Sequence, residues 1–155
     1  RPLEGFRIAP FYGCYIVRPS SDLGFDEHPD RQQSLELLIE AVGAEVADFP
    51  GKTKCCGFPI LTINGANSLN MVANHTLDAK SRGATAMVTP CPLCHLNLDA
   101  YQPNAAKARK TPIDLPILHL PQLVGLALGV DPKAMRVNKH IVSTKKLLSE
   151  LAVAP

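Results

Sequence analysis

Apolar positions along this chain follow two periods in turn, and the switches between them outline alternating strands and helices. Phe6 to Ala9 is a short apolar-rich run that predicts a strand, ended by Pro10 and Gly13. Residues 18–30 read as a loop by composition. Asp30 followed by Gln33 has the spacing of a capping box. Leu35, Leu38, Ile39 and Val42 then keep the i, i+3, i+4, i+7 rule of an amphipathic helix, with Gly43 as its stop. Ala44 to Phe49 alternates and predicts a second strand. Residues 65–82 predict a second helix, with Leu69, Val72, Ala73 and Thr76 on one face and Gly83 at its end. Ala84 to Val88 predicts a third strand. Pro92 suits the first position of a helix, where its missing N–H costs nothing, and Leu93, Leu96 and Tyr101 continue that helix. Leu115 to Leu120 predicts a fourth strand, Pro121 opens a helix over Leu123 to Leu128 that Gly129 stops, and a last helix covers about 144–151.

This alternation predicts an α/β fold, a layered and mainly parallel sheet with flanking helices. In such sheets sites form beyond the carboxyl ends of the strands. The cysteines, Cys14, Cys55, Cys56, Cys91 and Cys94, all fall in loops that follow predicted strands. Three separate loops therefore deliver thiols toward one sheet edge. A strand followed by a cysteine pair occurs at 44–56 and again at 84–94, an echo too loose for a repeat.

Composition narrows the classes. A chain of 155 residues is one domain's worth, so a single domain over residues 1–155 is expected. With 46% hydrophobic and 19% charged residues it reads as an ordinary globular domain. Sixteen Lys and Arg against fourteen Asp and Glu leave +2 without a basic block, so no nucleic-acid partner is expected. The longest clean apolar run, Leu123 to Val130, is eight residues. A membrane span needs about twenty, so the chain is not expected to span one. It opens on Arg1, which suggests a processed product or a piece of a longer protein. Five cysteines cannot all pair internally, and a bridge between the neighbours Cys55 and Cys56 would be strained. The expected compartment is reducing, the cytoplasm, with thiols kept for metal or redox chemistry.

Five thiols at one edge allow several chemistries. An iron–sulfur cluster suits soft thiolate ligands; Cys91-x-x-Cys94 can grip one centre, and the helix start that follows adds a favourable dipole. Structural zinc needs four thiolates and leaves one over. A thiol–disulfide pair at Cys91-Pro-Leu-Cys94 uses two and ignores three. Cys91-Pro92-Leu93-Cys94-His95 matches the c-type haem attachment pattern and again leaves three cysteines unused.

The order is Cys14, forty residues, Cys55-Cys56, thirty-four residues, then Cys91-x-x-Cys94. Together with the stretches FYGCYIVRP (11–19), KCCGFP (54–59), TPCPLCHLNLDAYQ (89–102) and LPILHLPQLVGLALG (115–129), it resembles the cysteine-rich CCG domain of the heterodisulfide reductase B subunit. The resemblance covers about residues 5–148. That protein carries two such domains in tandem, and this chain looks like the C-terminal one. The resemblance implies that Cys14, Cys55, Cys56, Cys91 and Cys94 are the ligands of a noncubane [4Fe-4S] cluster at which a disulfide is split. It implies as partners a ferredoxin-like iron–sulfur subunit, a flavin-containing subunit, and a disulfide or sulfur-carrier substrate on which the reaction can also run as thiol oxidation. In some relatives a CCG domain holds zinc, so a zinc-binding, non-catalytic assembly domain is the alternative.

Other residues have two readings each. His95 could donate to a cluster sulfur or simply pack. His119 could line the site or belong to the core. Arg18 could face an anionic substrate or make a structural ion pair. Lys52 and Lys54 flank the approach to Cys55 and could be either functional or ordinary surface lysines. His28, His75 and His140 look like surface residues. Phe58-Pro59 replaces the small residues expected after Gly57, which narrows the site.

Overall fold

The structure, a computed structural model, describes residues 3–19, 22 and 33–153. Four parallel strands, β1 (Arg7–Pro10), β2 (Glu45–Val46), β3 (Ala86–Thr89) and β4 (Ile117–His119), form one sheet in the order β2-β1-β3-β4. Ile8 pairs with Val46 on one side and with Ala86 on the other, and Met87 pairs with Ile117. The helices are α1 (Ser34–Ala41), α2 (Gly65–Ser81), α3 (Pro92–Ala100), α4 (Gln102–Arg109), α5 (Leu120–Ala127) and α6 (Lys145–Val153). The expected α/β architecture is the one observed, and the sheet is parallel throughout.

Alternate strand residues feed two apolar layers, as a sheet covered on both faces requires. Ala9, Met87 and Ile117 pack with Val72, Ala73 and Ala79 of α2, Leu98 of α3 and Ala105 of α4. Ile8, Ala86, Val88 and Leu118 pack with Ile39 of α1, Leu123 and Leu126 of α5 and Leu147 of α6. The central pair is β1 and β3, with β2 outside one and β4 outside the other. The strand order therefore reverses between β1 and β3, and ligand sites of open α/β sheets form at such a point.

Three local expectations need correction. The alternation predicts a second strand over 44–49; Ala47 and Phe49 are buried in alternation with exposed Asp48, but only Glu45–Val46 joins the ladder. The helix opened by Pro92 ends at Ala100, with Tyr101 as its cap, and α4 starts directly after it. The sequence QPNAAKAR of α4 has too few apolar residues for periodicity to show. It is held by buried Gln102, whose amide donates to the Leu115 carbonyl and accepts from the Leu115 N–H. Gln33 caps α1 without a side-chain bond; Asp30 and His28 lie outside the described residues.

Candidate functional site

The carboxyl ends of the two central strands deliver the first and last thiols. The β1 strand runs into a turn that carries Cys14, and β3 runs through Pro90 into Cys91 at the cap of α3, with Cys94 one turn on. Cys55 and Cys56 arrive on the loop after β2, just before the short helical turn Phe58–Ile60. The three segments are stitched together. Tyr12 and Gly13 donate their N–H groups to the Lys52 carbonyl at 2.8 and 3.2 Å, which ties the Cys14 turn to the Cys55 loop. Gly13 (φ +71°) passes so close under Cys94 that a Cβ there would sit 2.7 Å from the sulfur.

All five thiols are brought together by pairwise contacts. Cys14 bonds Cys55 and also lies near Cys56, Cys56 bonds Cys94, and Cys94 bonds Cys91. All are free, Cys56 and Cys94 buried and the other three half-buried. The hydrogen bond from Cys94 holds the Cys56 thiol down to about 7 despite burial. Cys94 is pushed far up, first by donating to Cys56 and then by burial. Burial, followed by the neighbouring Cys55, raises Cys14. Of the three thiols so shifted, Cys56 is the one drawn toward ionisation, with Cys94 holding the proton beside it. Among the described residues, no three His, Cys, Asp or Glu side chains are gathered as they would be around a single metal ion.

Backbone N–H groups already face the sulfurs. Gly57 N–H points at Cys55 Sγ (3.4 Å) and Phe58 N–H at Cys56 Sγ (3.5 Å). Three side chains grip carbonyls of the same loops from outside: His75 Nε2 meets the Cys55 carbonyl at 2.9 Å, Asn97 Nδ2 the Cys56 carbonyl at 2.8 Å, and His119 Nε2 the Pro90 carbonyl at 3.1 Å. A carbonyl can only accept, so each ring nitrogen here carries its proton.

The remaining candidates are placed as follows. His119 accepts the Gln122 N–H through its other nitrogen, so it caps α5 while holding the residue before Cys91. His95 Nε2 lies 3.2 Å from the Ile117 carbonyl, and its ring meets His119 and His140 edge-on at 6.0 and 4.8 Å. Burial lowers the pKa of His95. Arg18 is exposed. Lys52 is engaged by Glu36 (2.7 Å) and Asp48 (2.6 Å), whereas Lys54 is exposed. Leu93, Tyr15 and Ile63, on or beside the thiol segments, are exposed. Asp99 spends both carboxylate oxygens on the Ile141 and Val142 N–H groups.

Two of the supposed surface histidines are not on the surface. His75 is buried between Phe11 and Phe49, with ring centroids at 5.1 and 6.5 Å, and its pKa is lowered by that burial. The spacing Val72, His75, Thr76, Ala79 places it on the apolar stripe of α2, a legible signal that residue type alone obscures. His140 is half-buried against His95 and accepts from Gln122 Nε2 at 3.0 Å. Sequence reasoning also misses Asn97, which sits three residues past Cys94 on the buried side of α3.

Tyr12 anchors the Cys14 turn. Its hydroxyl donates to Glu36 Oε2 and accepts the Leu35 N–H at 3.0 Å. Burial, then the Glu36 carboxylate, pushes its pKa from 10.0 up to about 12. The folded value lies above the unfolded one, so this stabilisation is whole below pH 10 and is lost as pH rises toward 12, by roughly 2–3 kcal/mol. Tyr12→Phe is expected to lose about 1–3 kcal/mol at neutral pH and to show a flatter decline above pH 10. Urea midpoints for both proteins across pH 8–12 check this; parallel curves would contradict it.

A family model described as CCG, cysteine-rich domain, matches residues 8–99. The chain belongs to the CCG cysteine-rich domain family. This CCG domain is 40% identical over 147 residues to the 8-methylmenaquinol:fumarate reductase membrane anchor subunit of Wolinella succinogenes, covering 95% of this chain and 51% of that one. Over 155 residues it is 34% identical to the B subunit of the ferredoxin:CoB-CoM heterodisulfide reductase of Methanosarcina mazei, covering 97% and 50%. Over 154 residues it is 31% identical to the B subunit of the ferredoxin/F(420)H(2)-dependent CoB-CoM heterodisulfide reductase of Methanosarcina acetivorans, covering 97% and 50%. The chain spans about half the length of the curated relatives it matches. Among the described residues no helix is long and apolar enough to cross a membrane.

Proposed function

We propose that this CCG domain is the cluster-bearing part of a heterodisulfide-reductase-like subunit. In this reading Cys14, Cys55, Cys56, Cys91 and Cys94 hold a noncubane [4Fe-4S] cluster, and the protein reduces a disulfide-type bond or forms one in reverse. The observation that carries the reading is the run of pairwise contacts that joins five free thiols from three loops, those after β1 and β3 among them. The donor set fits the group. It is all soft sulfur, and the one nearby carboxylate on α3, Asp99, is bonded to backbone N–H groups. Thiols spread over three loops in successive contacts suit a unit with separated corners.

Cleaving a disulfide takes two electrons and two protons and releases two thiols. When bound, the cluster would supply iron at which a substrate sulfur can be held and through which electrons pass one at a time. The chain's own residues do the rest. Gly57 and Phe58 N–H groups face thiolate charge, which favours the reduced, more negative state. His75, Asn97 and His119 keep the loop carbonyls turned toward the protein. The electrons would arrive from a ferredoxin-like iron–sulfur subunit, itself served by a flavin-containing one, in the cytoplasm.

The 40% identity to a membrane anchor subunit favours a second reading, an assembly domain of a reductase complex; in that reading the thiols would hold zinc. Metal and sulfide analysis of the full-length protein, purified without oxygen, separates the two. The first reading expects about four iron and four sulfide for this five-cysteine set, with broad visible absorption. One zinc, no sulfide and no colour would replace it with the second.

A further inference from the structure

The Cys56–Gly57 peptide is held at both ends. Its carbonyl accepts from Asn97 Nδ2 at 2.8 Å, and its N–H points at Cys55 Sγ at 3.4 Å. In a trans peptide these two bonds point in opposite directions, so a grip on the carbonyl sets the aim of the N–H. Asn97 is fully buried, and its Nδ2 also reaches Ser68 Oγ at 3.4 Å, but its Oδ1 has no partner. Turning the amide over would set oxygen against the Cys56 carbonyl oxygen, so the observed orientation is the one with a bond. A buried acceptor left unpaired costs about 1–3 kcal/mol. An apolar residue of similar volume would remove that unpaired acceptor, but it would leave the Cys56 carbonyl without the Asn97 donor and could not hold the peptide.

We propose that Asn97 is a positioning residue. It acts through the Cys56–Gly57 peptide, aiming the Gly57 N–H at the Cys55 sulfur, and so tunes the reduction potential of the group that Cys55 ligates. This rests on the cluster reading above for the potential, but not for the geometry. An N–H directed at a ligand sulfur stabilises the more negative, reduced state. Losing it shifts the balance toward the oxidised state.

The test uses Asn97→Leu in the full-length protein. Iron and sulfide content and the thermal midpoint are expected to stay near wild type, because the change exchanges one unpaired acceptor, Asn97 Oδ1, for another, the Cys56 carbonyl. Redox titration of the visible spectrum is expected to show about a tenfold smaller reduced-to-oxidised ratio at fixed potential. For a one-electron step that is a midpoint about 59 mV more negative. A second readout needs no cluster: hydrogen–deuterium exchange of the 54–60 segment should quicken in the variant while the α2 and α3 segments stay unchanged. Should Asn97→Leu fail to fold, Asn97→Ala, which asks for no extra space, carries both readouts. An unchanged midpoint with iron retained, or unchanged exchange at 54–60, overturns the proposal. A wild-type protein without iron or sulfide overturns the cluster reading instead, and the exchange arm still decides the role of Asn97.

Discussion

Replacing Cys56 with alanine is expected to strip the domain of iron and sulfide while leaving its fold in place. Cys56 is 2% exposed and stands at the junction of the thiol contacts, bonded to Cys94 and lying near Cys14. It is also the thiol whose pKa lies lowest among the shifted ones, at about 7, so it supplies a thiolate readily at neutral pH. Without it the Cys14–Cys55 contact and the Cys91–Cys94 contact lose the sulfur that links them. The fold has less at stake. The lost sulfur is one small atom in a core cluster that includes Val72, Met87 and Leu98. A cavity of that size costs on the order of 1–2 kcal/mol, a fraction of the 5–15 kcal/mol typical of a domain. Iron and sulfide in the Cys56→Ala protein should therefore fall to about a tenth of wild type or less, with the thermal midpoint down by only about 2–8 °C. Undiminished iron and sulfide would sink the five-ligand reading.

Gly57→Ala is expected to act the other way, damaging the fold as well as the site. Gly57 has φ +95°, a conformation that costs an L residue about 1–2 kcal/mol. Its added Cβ would sit 2.9 Å from Ser68 Oγ and 3.1 Å from both Cα and the carbonyl oxygen of Ser68. Two of those atoms are α2 backbone, where Ser68 N–H bonds the Asn64 carbonyl at 3.1 Å, so they cannot swing aside. Overpacking of this kind costs about 1–3 kcal/mol more. A total of roughly 2–5 kcal/mol corresponds to a midpoint lower by about 4–20 °C. Any relief must move the Gly57 N–H off the Cys55 sulfur or push the Cys56 peptide away from Asn97. Thermal melts of wild type and variant, with iron content alongside, measure both effects. An unchanged melting curve would show that the loop gives way more easily than its contacts with α2 imply.

Much of the fold was legible because its signals are local. The β1, β3 and β4 strands announce themselves as short apolar runs closed by Pro or Gly, and the apolar spacing of α1, α2 and α5 matches helices that the structure holds. The short reach of β2 was less legible, since alternation at Ala44 to Phe49 reports burial, not ladder bonds. The α4 helix left no trace, because its stability comes from Gln102 reaching Leu115 across the chain. His75 could have been read from the Val72–Ala79 spacing on α2.

By itself the sequence determined an alternating α/β chain with thiols placed after three of its strands. It did so through local periodicity and through Pro and Gly, whose backbone limits act within a few residues. The tertiary structure decided that β1 and β3 lie side by side, so that Cys14 and Cys91 leave from adjacent strand ends. It also decided which polar groups serve the thiols. His75 reaches Cys55 across 20 positions and Asn97 reaches Cys56 across 41. Such bonds depend on how α2 and α3 pack against the loops, and no pattern within a few residues encodes that distance.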